Sequence, residues 1–128
     1  MKKILCLVTL IISFQAIGDE PALSSIYKAC MDDAGGITSN MLDCIGAETK
    51  VQDAQLNKAY KDVIAKLEVS RKKSLQEAQR SWLKFRDANC HFYADPDGGT
   101  IASVVSNDCF MSTTASRAKE IENILESL

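Results

Sequence analysis

The sequence predicts an all-α fold: a small four-helix domain with a central antiparallel helical hairpin, stapled by two disulfides. Three observations point there. Apolar residues recur at three- and four-residue steps through most of the chain. Strong turn signals are confined to Gly35-Gly36 and Asp95-Pro96-Asp97-Gly98-Gly99. Cys30, Cys44, Cys90 and Cys109 stand close to the expected helix ends. A length of 128 residues suits one domain and excludes a multidomain enzyme. The 46% hydrophobic content is too high for a disordered coil.

The elements follow in chain order. Lys2 and Lys3 precede the apolar run Ile4 to Ile12, which is too short to cross a bilayer and reads as a secretory signal peptide. Ala16 and Gly18 form an A-x-G site, so cleavage is expected near Gly18, with a cut after Ala16 as the alternative. This gives residues 1–18 as signal and 19–128 as a single helical domain. Cys6 lies too early in the apolar run to carry a lipid and leaves with the signal. The four remaining cysteines are an even set in an exported chain, the pattern of two disulfides made in an oxidising compartment. Loss of Lys2 and Lys3 moves the formal charge from −2 to −4. The expected location is the bacterial periplasm or the exterior. No later apolar run reaches spanning length, so no membrane span is expected, and a pI of 5.4 argues against nucleic acid.

The first helix is expected over Ser24 to Ala34, with Ile26, Ala29 and Cys30 on one face and Gly35-Gly36 as its stop. Thr38, Ser39 or Asn40 offers the next N-cap. Met41, Leu42, Cys44 and Ile45 open a second helix, and from Asp53 the stripe Leu56, Tyr60, Val63, Ile64, Leu67 keeps a helical period. Ser70 can cap a third helix carrying Leu75, Ala78, Trp82 and Phe85 as far as Cys90, although one uninterrupted helix is the competing reading. The Asp95 to Gly99 turn opens a loop to about Asn107. A last helix then runs from Cys109 or Ser112 through Ala115, Ala118, Ile121, Ile124, Leu125 and Leu128. Four cysteines permit three pairings. Sequential pairing, Cys30 with Cys44 and Cys90 with Cys109, is preferred because each bridge then clamps the connection between consecutive helices.

Polar residues intrude on these stripes. If the hairpin turns near residues 69 and 70, Asp53 comes level with Arg86 and Asn57 with Trp82, which predicts an Asp53–Arg86 contact. A buried ion pair fixing helix register is preferred over an acid/base site, because no histidine and no second interior carboxylate completes a mechanism. Asp87 points elsewhere round the helix and has Arg117 as a candidate partner. His91 stands alone and disulfide cysteines do not ligate, so no metal is expected. There is no G-x-S-x-G elbow and no phosphate loop. The chain is therefore expected to be no enzyme and to need no cofactor.

Together, Asp53-x-x-Leu56-Asn57-x-x-Tyr60, Leu75-x-x-Ala78-Gln79-Arg80-x-Trp82-x-x-x-Arg86-Asp87-x-x-Cys90, Gly98-Gly99, Cys109 and Thr114-x-x-Arg117 resemble the LprI-like lysozyme inhibitor N-terminal domain family. The resemblance covers nearly all of the chain from Cys30 onward. It implies a small helical, disulfide-stabilised envelope protein that binds another protein, with a lysozyme-type peptidoglycan hydrolase as target. It assigns structural roles to the motif residues and identifies no inhibitory one. Two other functions are compatible with export and disulfides: immunity against a wall-degrading toxin, and an envelope structural or adaptor role. An inhibitor must present a protruding element to a cleft holding two carboxylates. The candidate is the loop between Cys90 and Cys109, with Gly98, Gly99, Ser103, Ser106 and Asn107 favoured over the like-charged Asp95 and Asp97. An acidic protein would associate faster with a basic hydrolase.

Overall fold

Helical segments occupy almost all of residues 22–128, the part of the chain that the computed structural model describes. Their order is α1 (Ser25–Asp33), α2 (Thr38–Lys66), α3 (Val69–Phe92) and α4 (Gly99–Glu126). The expected signal peptide lies outside the described residues. No helix among them is long and apolar enough to cross a membrane.

The all-α expectation holds, and the competing single long helix does not. Leu67 and Glu68 both take extended backbone angles, with ψ of 150° and 156°, and break the chain into α2 and α3. The break falls before residues 69 and 70. Ser70 consequently lies inside α3, where its carbonyl accepts from Ser74 Oγ, and Glu68 occupies the N-cap position without a side-chain bond. At the start of α2 the N-cap is Ile37, one residue before the expected Thr38. Ser24 does cap α1, its hydroxyl accepting from the Tyr27 amide at 3.0 Å. The expected face of α1 is wrong: Ile26 is 80% exposed, while Tyr27 and Met31 pack inward.

The largest departure is at α4. The stretch Thr100 to Asn107 is rich in β-branched and small polar residues of low helix propensity and was expected to be loop. It is helix, because Ala102 and Val104 bury against the rest of the bundle and Val104 joins Ile45 and Met111 in a core cluster. Tertiary burial outweighs a per-residue propensity cost of a few tenths of a kcal/mol. What remains of the loop is the Ala94 to Gly98 turn. Gly98 at its end and Gly99 at the start of α4 answer different demands. A Cβ on Gly98 would stand 2.8 Å from the Ala102 Cβ, and Gly99 has φ of 65°.

Two apolar clusters carry the packing. One joins Leu56, Ala59 and Val63 of α2 to Ala118 and Ile121 of α4, banked by Tyr60, Leu75 and Trp82; the other is the Ile45, Val104, Met111 group, covered by α1. Helices α2 and α4 pack closely along their lengths. Helix α3 approaches α4 at fewer points and makes almost no close backbone approach to α2, despite the two-residue connection. Both disulfides pair sequentially, Cys30–Cys44 and Cys90–Cys109, with Cα separations of 5.7 and 5.4 Å. They tie α1 to α2 and the end of α3 to α4 at a point nearly three turns into that helix.

Candidate functional site

Between the two apolar clusters lies a polar layer, and it divides into two groups. The first is on α3 and α4. Arg86 is 7% exposed, and its guanidinium sits 5.0 Å from the Trp82 ring centre and 3.8 Å from that of Phe110. Its Nε and Nη2 donate to one oxygen of Asp87 at 3.0 and 2.9 Å, and Nη1 donates to Thr114 Oγ1 at 3.3 Å. One turn away, Arg117 donates from Nε to Gln79 Oε1 at 3.0 Å, pairs with Glu120 at 2.6 Å, and lies 5.9 Å from the Trp82 ring centre. Two cations thus share one indole. Planar guanidinium on aromatic faces lets α3 dock on α4 through charge without leaving a bare buried cation.

The predicted Asp53–Arg86 pair does not form. Asp53 is exposed and accepts from Asn57 Nδ2 at 2.9 Å within its own helix. Because the hairpin turns earlier than residues 69 and 70, the facing levels shift by about one helical turn. Asp53, Leu56, Asn57 and Tyr60 instead line a groove with Gln76, Gln79, Arg80 and Leu83, and Arg86 passes beyond it to face α4. The Asp87–Arg117 pairing is likewise replaced, by Asp87–Arg86 and Arg117–Glu120. Of the motif residues, Leu56 is core, Tyr60, Gln79 and Trp82 are half-buried, Arg86 and Arg117 are buried, and Asn57, Ala78 and Asp87 are exposed.

The second polar group escaped sequence reasoning. Glu48 is 3% exposed and Gln52 is 2% exposed. The Glu48 carboxylate accepts from the Ser24 amide at 2.9 Å, Ser24 Oγ at 2.6 Å and Gln52 Nε2 at 2.7 Å. Burial alone raises its pKa, but the bonds from Ser24 Oγ, Gln52 and the Ser24 amide outweigh burial and hold it below the ordinary 4.5. A carboxylate so satisfied is a clasp that pins the start of α1 to α2, and it is unsuited to giving up or taking a proton near neutrality. The signal was present: Ile45, Glu48, Gln52, Leu56, Ala59 and Val63 follow one another at three- and four-residue steps. The true core stripe runs one residue before Asp53, Asn57 and Tyr60.

At the disulfide end, Ser106 donates to the Cys90 carbonyl at 2.9 Å and so ties α4 to α3, while Asn107 donates to the Ser103 carbonyl at 2.8 Å within α4 itself. Ser103, Ser106 and Asn107 are helical, not loop, residues. The projecting element is the Ala94 to Gly98 turn, where Asp95 accepts from the Asp97 amide at 2.9 Å, followed by the exposed Ile101 and Val105. His91 is exposed. Among the described residues no three His, Cys, Asp or Glu side chains gather as a metal site would require.

The family model for the lysozyme inhibitor LprI matches residues 30–121, from the first cysteine of the first disulfide to the last core isoleucine of α4. The chain belongs to the LprI lysozyme inhibitor family. That match spans both disulfides and both arginines of the α3–α4 seam, where Gln79, Trp82, Arg86, Thr114 and Arg117 meet beside the Cys90–Cys109 bridge. The chain is also similar to an uncharacterized protein of Rhizobium meliloti (strain 1021), 26% identical over 98 residues that make up 66% of this chain and 70% of that protein. No solved structure matches it. An LprI family inhibitor implies a protein partner such as a lysozyme.

Proposed function

We propose that this protein is an exported, periplasmic or secreted inhibitor of a lysozyme-type peptidoglycan hydrolase. Membership of the LprI family over residues 30–121 is the observation that carries the proposal. Two features of the molecule support it. The Ala94 to Gly98 turn projects from an end braced by Cys90–Cys109, so a segment entering a cleft loses little freedom on binding. The turn leads into Ile101, 57% exposed, and Val105, 43% exposed, one helical turn apart on α4. We assign the contact surface to this end, with Gly98 and Gly99 shaping the turn and Ile101 as the apolar anchor. The net charge of −4 expected after removal of Lys2 and Lys3 suits a basic hydrolase, and the association rate should fall as salt rises.

The test is suppression of lysis of a cell-wall suspension by a panel of lysozymes in the presence of the oxidised protein. The proposal expects inhibition of at least one type at roughly micromolar protein, a usual strength for a specific interface. Absence of inhibition and of binding across the panel at that concentration would remove the lysozyme assignment.

A further inference from the structure

Helix α3 has a second face that the bundle does not use. Ala78, Ser81, Phe85, Ala88 and Phe92 follow at alternating three- and four-residue steps, the spacing of a coiled-coil seam, and every one is exposed. Phe85 is 59% and Phe92 79% exposed. Three of the five are small, so a second helix can approach closely while the Phe85 ring fills a gap beside an alanine and a serine. The Arg86 joint with α4 lies on a different side of the helix, and it remains intact when this face is covered.

We propose that the seam is filled by a second copy of this chain, as an antiparallel pair of α3 helices related by a two-fold axis near residue 80. The charges select this occupant. Glu77 and Lys84 are both exposed beside the seam, and in that register Glu77 of each copy meets Lys84 of the other, so one sequence supplies two identical cross-pairs. Arg71, Lys72 and Lys73 occupy the first turns of α3, outnumber the N-cap Glu68, and oppose the positive end of their own helix dipole. Asp87 stands toward the negative end, with Asp95 and Asp97 beyond it. A charge order unfavourable within one helix becomes complementary beside an antiparallel copy. Phe85 then falls between Ser74 and Ala78 of the second copy, and Phe92 reaches its α2–α3 turn.

Sedimentation of the oxidised protein over ~1 µM to ~1 mM reads the association directly. The expected result is a reversible monomer–dimer equilibrium. Phe85→Glu should raise the dissociation constant about tenfold or more. Glu77→Lys and Lys84→Glu should each weaken the dimer, and the double exchange should recover it. Circular dichroism should show unchanged helicity, since all three positions are exposed. A monomeric mass at every concentration, a dimer indifferent to Phe85→Glu, or a double exchange no better than the single ones would each overturn the proposal. The inference is independent of the lysozyme assignment, because Ile101 and the turn are not part of this seam.

Discussion

Helices α2 and α3 are both long and both join the central hairpin, yet they are held in opposite ways. Helix α2 buries Cys44, Ile45, Glu48, Gln52, Leu56, Ala59 and Val63, and its stripe is matched along its length by α4. Helix α3 buries only Arg86 and Cys90. The first is fixed by apolar area, which is non-directional and spread over many contacts. The second is fixed by a disulfide, two guanidinium groups and an indole, with Leu75 resting on the α2–α4 core and the face opposite in water. The difference separates what makes this molecule fold from what it can offer a partner.

The comparison can be broken first at the α2–α4 core. Ile121 is fully buried against Val63 and its neighbours, so Ile121→Ala should cost about 2–5 kcal/mol by chemical denaturation. A loss under 1 kcal/mol would mean that the α2–α4 pair does not carry the fold. Selective removal of the Cys90–Cys109 bridge, which closes a 19-residue separation, should cost roughly 3 kcal/mol and loosen the end of α3 while leaving α2 helical. Arg86→Ala should lower stability by about 2 kcal/mol, through the lost ring contacts and the Thr114 bond, since Asp87 is exposed and its ion pair contributes little. Asp53→Ala should change stability by under about 0.5 kcal/mol. A melting temperature that fell more for Asp53→Ala than for Arg86→Ala would restore the register predicted from the sequence.

The Glu48 clasp gives the comparison a pH dependence. The folded carboxyl has a lowered pKa, so the native state binds fewer protons than the unfolded chain just below the ordinary 4.5. Its contribution is fully present above that value and is lost as pH falls through the lower folded value. In Glu48→Gln the acid-side decline in melting temperature should become shallower, with α1 amides the first to lose protection. An identical decline in the variant would show that the clasp contributes nothing to acid sensitivity.

How much of this was legible in the sequence follows from the same contrast. Periodicity located the helices because core burial leaves a repeating mark, and helix-end cysteines located the disulfides. The Asp53–Arg86 pairing failed because a hairpin register depends on one turn position, and moving the turn to Leu67-Glu68 slides every facing residue. Glu48 and Gln52 were passed over because a carboxylate and an amide look like surface unless the stripe is followed through them. The Asp95 to Gly99 turn points to a loop through Ser103, Ser106 and Asn107, an expectation that the burial of Ala102 and Val104 overrides. The Trp82–Arg86 joint was visible as a motif, but its partners Phe110 and Thr114 belong to a helix whose register no local signal fixes.

The braced turn with Ile101 and the open face of α3 are two distinct exposed surfaces among the described residues, and one measurement separates their roles. Inhibition of a susceptible lysozyme would be compared for the unmodified protein, Ile101→Glu and Phe85→Glu. The account predicts that the unmodified protein inhibits, that Ile101→Glu loses inhibition at least about tenfold, and that Phe85→Glu inhibits as well as the parent. Full inhibition by Ile101→Glu, or loss confined to Phe85→Glu, would contradict the assignment of the inhibitory surface to the disulfide-braced end.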